Sequence, residues 1–144
     1  MKKTSRVVLC LGSNIEPRLD YLDRAQAALC ALPGTSLSAA SATEETEPVD
    51  VPPEFAGQKF LNRILVVDTE LAPLDFSRRM HAIEDALGRV RGEVRNMPRT
   101  IDIDMIDYEG VVSSDPELIL PHPRARQRAF VQKPLRDIGI SLCR

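Results

Sequence analysis

A chain of 144 residues, 43% hydrophobic and 28% charged, has the length and composition of one ordinary globular domain spanning residues 1–144, able to bury roughly two thirds of its unfolded surface without covalent or metal staples. A net charge of -2 and a pI near 5.7 argue against a generally basic nucleic-acid binder, and three cysteines (Cys10, Cys30, Cys143) without a Cys-x-x-Cys spacing indicate neither a disulfide framework nor a zinc site. The apolar run near the N-terminus is too short for a signal peptide or a membrane span, so a cytoplasmic protein is expected.

Val7-Val-Leu-Cys-Leu11 reads as a buried central strand closed by a Gly12-Ser13-Asn14 turn. A helix follows, with Pro17 in its first turn, an apolar stripe of Leu19, Leu22, Ala25, Ala28 and Leu29, and a stop at Pro33-Gly34. The turn could present N–H groups to an anion, but such turns are more often simple punctuation. Residues 35–46 form a weakly patterned strand, and residues 47–57, with three prolines, a loop that should be mobile without ligand. Residues 59–70 are the clearest strand, with Phe60 and Asn62 on one face and Leu61 on the other. An aromatic beside an amide suits a flat heteroaromatic ligand; equally, it can be a core ring beside a surface Asn.

Residues 71–88 form the best-defined helix, with Pro73 in the first turn, Phe76, Met80, Ile83 and Leu87 as its stripe and Gly88 as its stop. His81 and Glu84 are three residues apart on it, and either can be an ordinary solvated side chain. Then come four arginines, Arg89, Arg91, Arg95 and Arg99, leading into a strand at 100–106 in which Asp102 and Asp104 face one way and Ile101 and Ile103 the other. Two strand steps separate the aspartate Cα atoms by roughly 6.5–7 Å, close enough for both carboxylates to serve one Mg²⁺ or a pair of ions. Carboxylates alone would repel a polyphosphate. A divalent ion bridges the two, while arginine forks neutralise the remaining charge. Tyr108-Glu-Gly110 marks a hairpin or loop, and Leu118 to Arg124 ends in a proline-locked turn around His122.

The order β-α-β-β-α-β plus a short C-terminal extension is the ferredoxin-like pattern, an α+β fold with a mostly antiparallel sheet and helices on one face. Asp102, Asp104, Phe60 and Asn62 would then meet on the uncovered face.

The motifs Leu11-Gly-Ser-Asn14, Phe60-Leu-Asn62, Glu84 followed by Gly88-Arg-Val-Arg91, Pro98-Arg-Thr-Ile-Asp-Ile-Asp104, Leu120-Pro-His-Pro-Arg124 and Phe130-Val131 together resemble the 6-hydroxymethyl-7,8-dihydropterin pyrophosphokinases of folate biosynthesis. The resemblance spans nearly the whole chain in order. It implies attack of the pterin hydroxymethyl oxygen on the β-phosphorus of MgATP, transfer of the whole diphosphate and release of AMP. It further implies two Mg²⁺ ions on Asp102 and Asp104, and Arg89 and Arg99 as phosphate clamps. Arg91, Arg128, His122, Glu84 and His81 would lie around the nucleotide. Phe60 and Phe130 would sandwich the pterin, with Asn62 and backbone groups near Thr46 and Val49 at its pyrimidine edge. The loops at 47–57 and 90–98 would close over both substrates. Asn96-Met97 departs from the aromatic or basic residue and glycine that family members often carry before the proline, so loop closure should differ. ATP and the pterin are the expected partners, with no nucleic acid or membrane, and a monomer is the expected state. Three competing readings remain at this point: a ferredoxin-like nucleic-acid-binding module, a nucleotide-sugar transferase using Asp-x-Asp, and a homologue without turnover.

Overall fold

The computed structural model describes residues 3–46, 53, 57, 59–88 and 100–120. Their elements are β1 (Ser5–Ser13), α1 (Arg18–Cys30), β2 (Thr35–Ala40), β3 (Glu44–Thr46), β4 (Phe60–Thr69), α2 (Pro73–Ala86), β5 (Asp102–Tyr108), β6 (Ser113–Asp115) and β7 (Leu118–Leu120). The main sheet runs β2-β4-β1-β5, with β3 also on β4, and β6 and β7 form a separate two-stranded ladder. All pairings are antiparallel. Because β1 and β2 both run opposite to β4, they run parallel to each other with β4 inserted between them, which is the split βαβ unit of the ferredoxin-like pattern.

β1 is central because it can be buried on both faces. Val7, Leu9 and Leu11 enter the core beneath the helices, while Val8 and Cys10 on the opposite face are also buried. The strand continues through Gly12 to Ser13, so these two residues are strand and not the predicted turn. The predicted strand 35–46 is divided instead of continuous. Its register on β4 shifts between Leu37 and Ala39, and at Ser41 the ladder is carried partly by a side chain. Ser41 N–H donates to Ile64 O at 2.9 Å, and Ile64 N–H donates to Ser41 Oγ at 2.9 Å, so a hydroxyl replaces a backbone carbonyl where the strand bends.

In α1, Pro17 is the N-cap and Leu22, Ala25 and Leu29 are buried. Leu19 does not join this face: it is 51% exposed, and the first turn is fastened by Arg18, which donates to Glu45 Oε2 and Lys59 O. α2 has Pro73 in its first turn, as the sequence indicates, and Gly88 ends the segment with φ +89°. The buried positions of α2 are Phe76, Ser77, Met80 and Glu84, and Phe76, Met80 and Glu84 recur four residues apart, with Ile83 and Leu87 only partly buried. A carboxylate therefore stands where the helical stripe would ordinarily continue with an apolar side chain.

Both helices lie on the face formed by Leu9, Leu11, Leu65, Val67, Ile101 and Ile103. The opposite face is not open along its length, contrary to expectation. Val8, Cys10, Ile64 and Val66 on that face are buried, and half-buried polar groups occur only toward its ends, Asp102 and Asp104 at one and Arg6 and Asp68 at the other. Beyond β5, Val111 N–H donates to Tyr108 O to close the turn at Gly110, and Leu120 of β7 returns to the core. The Tyr108 hydroxyl donates to the Leu71 carbonyl, tying the end of β5 to the chain entering α2.

Candidate active site

Three adjacent strands assemble one row of the polar end. Gly12 of β1 stands opposite Asn62 of β4 on one side and Asp102 of β5 on the other, and the next row holds Cys10 between Ile64 and Asp104. With neighbouring strands about 4.8 Å apart, the backbones of Asn62 and Asp102 are separated by about 10 Å. Only hydrogen fills the position between them. A Cβ at Gly12 would lie 3.1 Å from Asn62 Oδ1 and 3.4 Å from Phe60 Cδ1. The glycine thus lets the Asn62 and Phe60 side chains lie close over the β1 backbone, with Asp102 on the strand at its other side.

Asn62 is 7% exposed, and its Nδ2 donates to Thr46 Oγ1, which fixes the amide with Oδ1 turned toward Gly12. The Thr46 hydroxyl thus sets the orientation of Asn62. The predicted sharing of a face by Phe60 and Asn62 holds, and so does the alternation of Asp102 and Asp104 with buried Ile101 and Ile103.

Among the described residues no group of three or more His, Cys, Asp or Glu side chains could hold a metal ion. Two half-buried carboxylates on alternate positions of one strand are nevertheless the donor set suited to Mg²⁺, which takes one or two carboxylates and completes its shell with substrate phosphates and water. The residues present fit such an ion. Thr100, which precedes this strand, has a buried Oγ1 without a hydrogen-bond partner among the described residues. Strand alternation would put it on the face of Asp102.

Glu84 is 0% exposed, so it is not the solvated side chain that helical spacing allows, and in this conformation it cannot itself line a nucleotide. Its Oε2 accepts from the Ile103 N–H at 2.8 Å, and its Oε1 lies 2.8 Å from His81 Nδ1. The His81 side chain is 47% exposed, beside the end of α2 that leads to Arg89. The other predicted site residues, Val49, Arg89, Arg91, Arg99, His122, Arg128 and Phe130, lie outside the described residues, as do the loops expected to close, residues 53 and 57 apart. Sequence reasoning makes Gly12 turn punctuation and does not foresee Glu84 in the core. A glycine within an apolar strand run and an acid four residues after Met80 in a helical stripe are the signals that point the other way.

A cavity of about 600 Å³ lies elsewhere, between α1 and the β2–β3 bend, lined by Asp23, Gln26, Cys30, Ser41, Thr43 and Arg63 among others. Arg63 donates to Thr43 Oγ1, Asp23 Oδ1 and Gln26 Oε1, so the cavity is on the helix side of the sheet, away from Asp102 and Asp104. Burial pushes the Cys30 thiol pKa up, which keeps it protonated and a weak nucleophile.

The family model described as 7,8-dihydro-6-hydroxymethylpterin-pyrophosphokinase (HPPK) matches residues 8–140. The chain belongs to this family. It is 44% identical over 139 residues to a 2-amino-4-hydroxy-6-hydroxymethyldihydropteridine pyrophosphokinase of Methylorubrum extorquens, covering 96% of this chain and 85% of that protein. It is 40% identical over 144 residues to a protein of the same name from Pseudomonas aeruginosa, covering 95% of this chain and 82% of that one. Among solved structures, an HPPK-DHPS in complex with substrates superposes with a TM-score of 0.68 at 14% identity, covering 94% of this chain and 40% of that one. The wild-type HPPK-DHPS of Plasmodium falciparum with pteroate superposes with a TM-score of 0.61 at 15% identity, covering 95% of this chain and 39% of that one. This chain thus spans about two fifths of those longer chains, and the likeness to them is one of fold.

Proposed function

We propose that the polar end of the sheet, from Asn62 across Gly12 to Asp102 and Asp104, is where this chain transfers diphosphate from ATP to a pterin. The reaction class comes with the family: pyrophosphokinase activity on hydroxymethyldihydropterin in folate synthesis. The observation that carries the placement is the cross-strand row itself. It sets a fixed amide and an aromatic ring on one side of Gly12 and the paired carboxylates on the other.

In this reading the pterin lies beside Gly12, stacked on Phe60 and, on its other face, Phe130, while Asn62, oriented by the Thr46 hydroxyl, meets its pyrimidine edge together with backbone near Thr46 and Val49. The hydroxymethyl group then points toward β5. Asp102 and Asp104 hold Mg²⁺, proposed as two ions, whose chemistry there is to neutralise phosphate charge and lower the pKa of the attacking hydroxyl. Arg89 and Arg99 clamp the transferred group, Arg91 and Arg128 carry further phosphate charge, and His122 and His81 lie toward the nucleotide. No side-chain nucleophile is needed. Positioning and charge neutralisation supply most of what phosphate transfer requires. Exclusion of water by the segments at 47–57 and 90–98 would keep ATP from hydrolysis.

We further read the protein as a cytoplasmic monomer. Among the described residues no helix is long and apolar enough to cross a membrane. The deciding assay uses ATP, Mg²⁺ and 6-hydroxymethyl-7,8-dihydropterin and separates AMP from ADP. AMP with pterin diphosphate is the expected result; ADP, or no nucleotide product, would overturn the proposed chemistry.

A further inference from the structure

We infer that Glu84 is a positioning residue for the Asp102–Asp104 pair, acting through the backbone N–H of Ile103. Ile103 sits between the two aspartates, and its N–H is donated at 2.8 Å to Glu84 Oε2. Successive N–H groups of a strand point to opposite edges, and β1 occupies one edge of β5. Along the other edge β5 pairs with no strand among the described residues. The carboxylate of α2 does there what a neighbouring strand's carbonyl would do. It is itself held, because Oε1 lies 2.8 Å from His81 Nδ1.

The placement is costly, and the cost points to a role. Position 84 continues the buried stripe of Phe76 and Met80, and Glu84 is as buried as Phe76. A methionine or leucine would fill that site without the desolvation of a carboxylate. What the acid adds at β5 is a fixed acceptor for one peptide N–H, the one flanked by both candidate metal ligands. Holding that peptide sets the local pleat, and the pleat sets how the two carboxylates converge.

This inference rests on the proposal that Asp102 and Asp104 hold a divalent ion, and the experiment separates the two. Mn²⁺ with a non-hydrolysable ATP analogue serves as probe, its affinity read by electron paramagnetic resonance, and amide exchange of Ile103 is read by NMR in the same proteins. Glu84→Gln keeps an oxygen for the Ile103 N–H and should stay within about threefold of the parent in both readouts, whereas Glu84→Met should lose about tenfold or more in Mn²⁺ affinity and in Ile103 protection. Amides in the centre of β4 should keep their protection in both. Should the Met variant not fold, Glu84→Asp, which retains the charge but withdraws the oxygen by one methylene, should behave as predicted for Met. Parent-like Mn²⁺ affinity in Glu84→Met or Glu84→Asp overturns the inference. So does a tenfold loss in Glu84→Gln with Ile103 still protected. Asp102→Asn is the control: if it binds Mn²⁺ like the parent, the metal reading itself fails, and the inference with it.

Discussion

The two faces of the sheet are built from the same strands and carry opposite demands. Under the helices, Leu9, Leu11, Leu65, Val67, Ile101 and Ile103 are sealed from water by Leu22, Leu29, Phe76 and Met80. At the end of the other face stand Asn62 and, next in sequence to Leu11, Ile101 and Ile103, Gly12, Asp102 and Asp104. β5 divides its labour residue by residue, with Ile103 in the core and an aspartate on either side of it. Chemistry can thus be placed within one residue of the core without exposing it, because the pleat turns each successive side chain to the opposite face. Substitutions one residue apart should consequently fail in different ways.

The sharpest contrast is within β5. Asp102→Ala or Asp104→Ala should lower turnover by about a thousandfold or more with little change in Tm, because both carboxylates are half-buried at the rim. A drop in Tm comparable to a core deletion would break the comparison. On the covered face, Phe76→Ala should cost about 3–5 kcal/mol of stability in denaturant titration, because it empties a fully buried site beneath the sheet. Its effect on kcat in the protein that remains folded should be slight. An intermediate effect is expected at Gly12. The added methyl in Gly12→Ala would meet Asn62 Oδ1 at 3.1 Å and Phe60 Cδ1 at 3.4 Å. It should weaken pterin binding by about tenfold while ATP binding changes little. Equal losses for both ligands in calorimetry would remove Gly12 from the pterin site. Ser41→Ala, which takes the hydroxyl acceptor from the Ile64 N–H, should cost about 1–2 kcal/mol, read as a shift of the denaturation midpoint with no change in kcat.

The smallest effect belongs to the exposed cluster at the start of α1. The backbone N–H of Arg18 donates to Glu16 and, with the Arg18 charge, holds the Glu16 carboxyl pKa below its ordinary value. A carboxylate depressed in the folded state stabilises above its unfolded pKa and loses that contribution as pH falls through its folded pKa. Glu16→Gln should therefore slightly lessen the acid sensitivity of Tm and leave activity untouched, since the pair is solvent-screened.

Much of this architecture is legible in the order of the residues. The burial of β1 is written in an uninterrupted apolar run, and the two helices are bounded by Pro17, Pro73 and Gly88. The two faces of β5 follow from alternation alone. Three features are not legible for the same reason, that each depends on a partner distant in the chain. Leu19 has the spacing of a stripe residue, yet Arg18 beside it reaches Glu45 and the Lys59 carbonyl. The strand at 35–46 reads as continuous, yet Ser41 lends its hydroxyl to Ile64 and the ladder breaks into β2 and β3. The second face reads as open, yet Val8, Cys10, Ile64 and Val66 are buried.

The sequence by itself determined the buried strand β1, the two helices, the alternation of acids with isoleucines in β5 and, through its motifs, membership in a pyrophosphokinase family. Those are properties of residues two to four apart, or of short words read in order. Only the tertiary structure decided that Gly12 separates Asn62 from Asp102 and that Glu84 reaches the Ile103 N–H. The first depends on the register of three strands and the second on how α2 lies against β5, and neither is a local property of the chain.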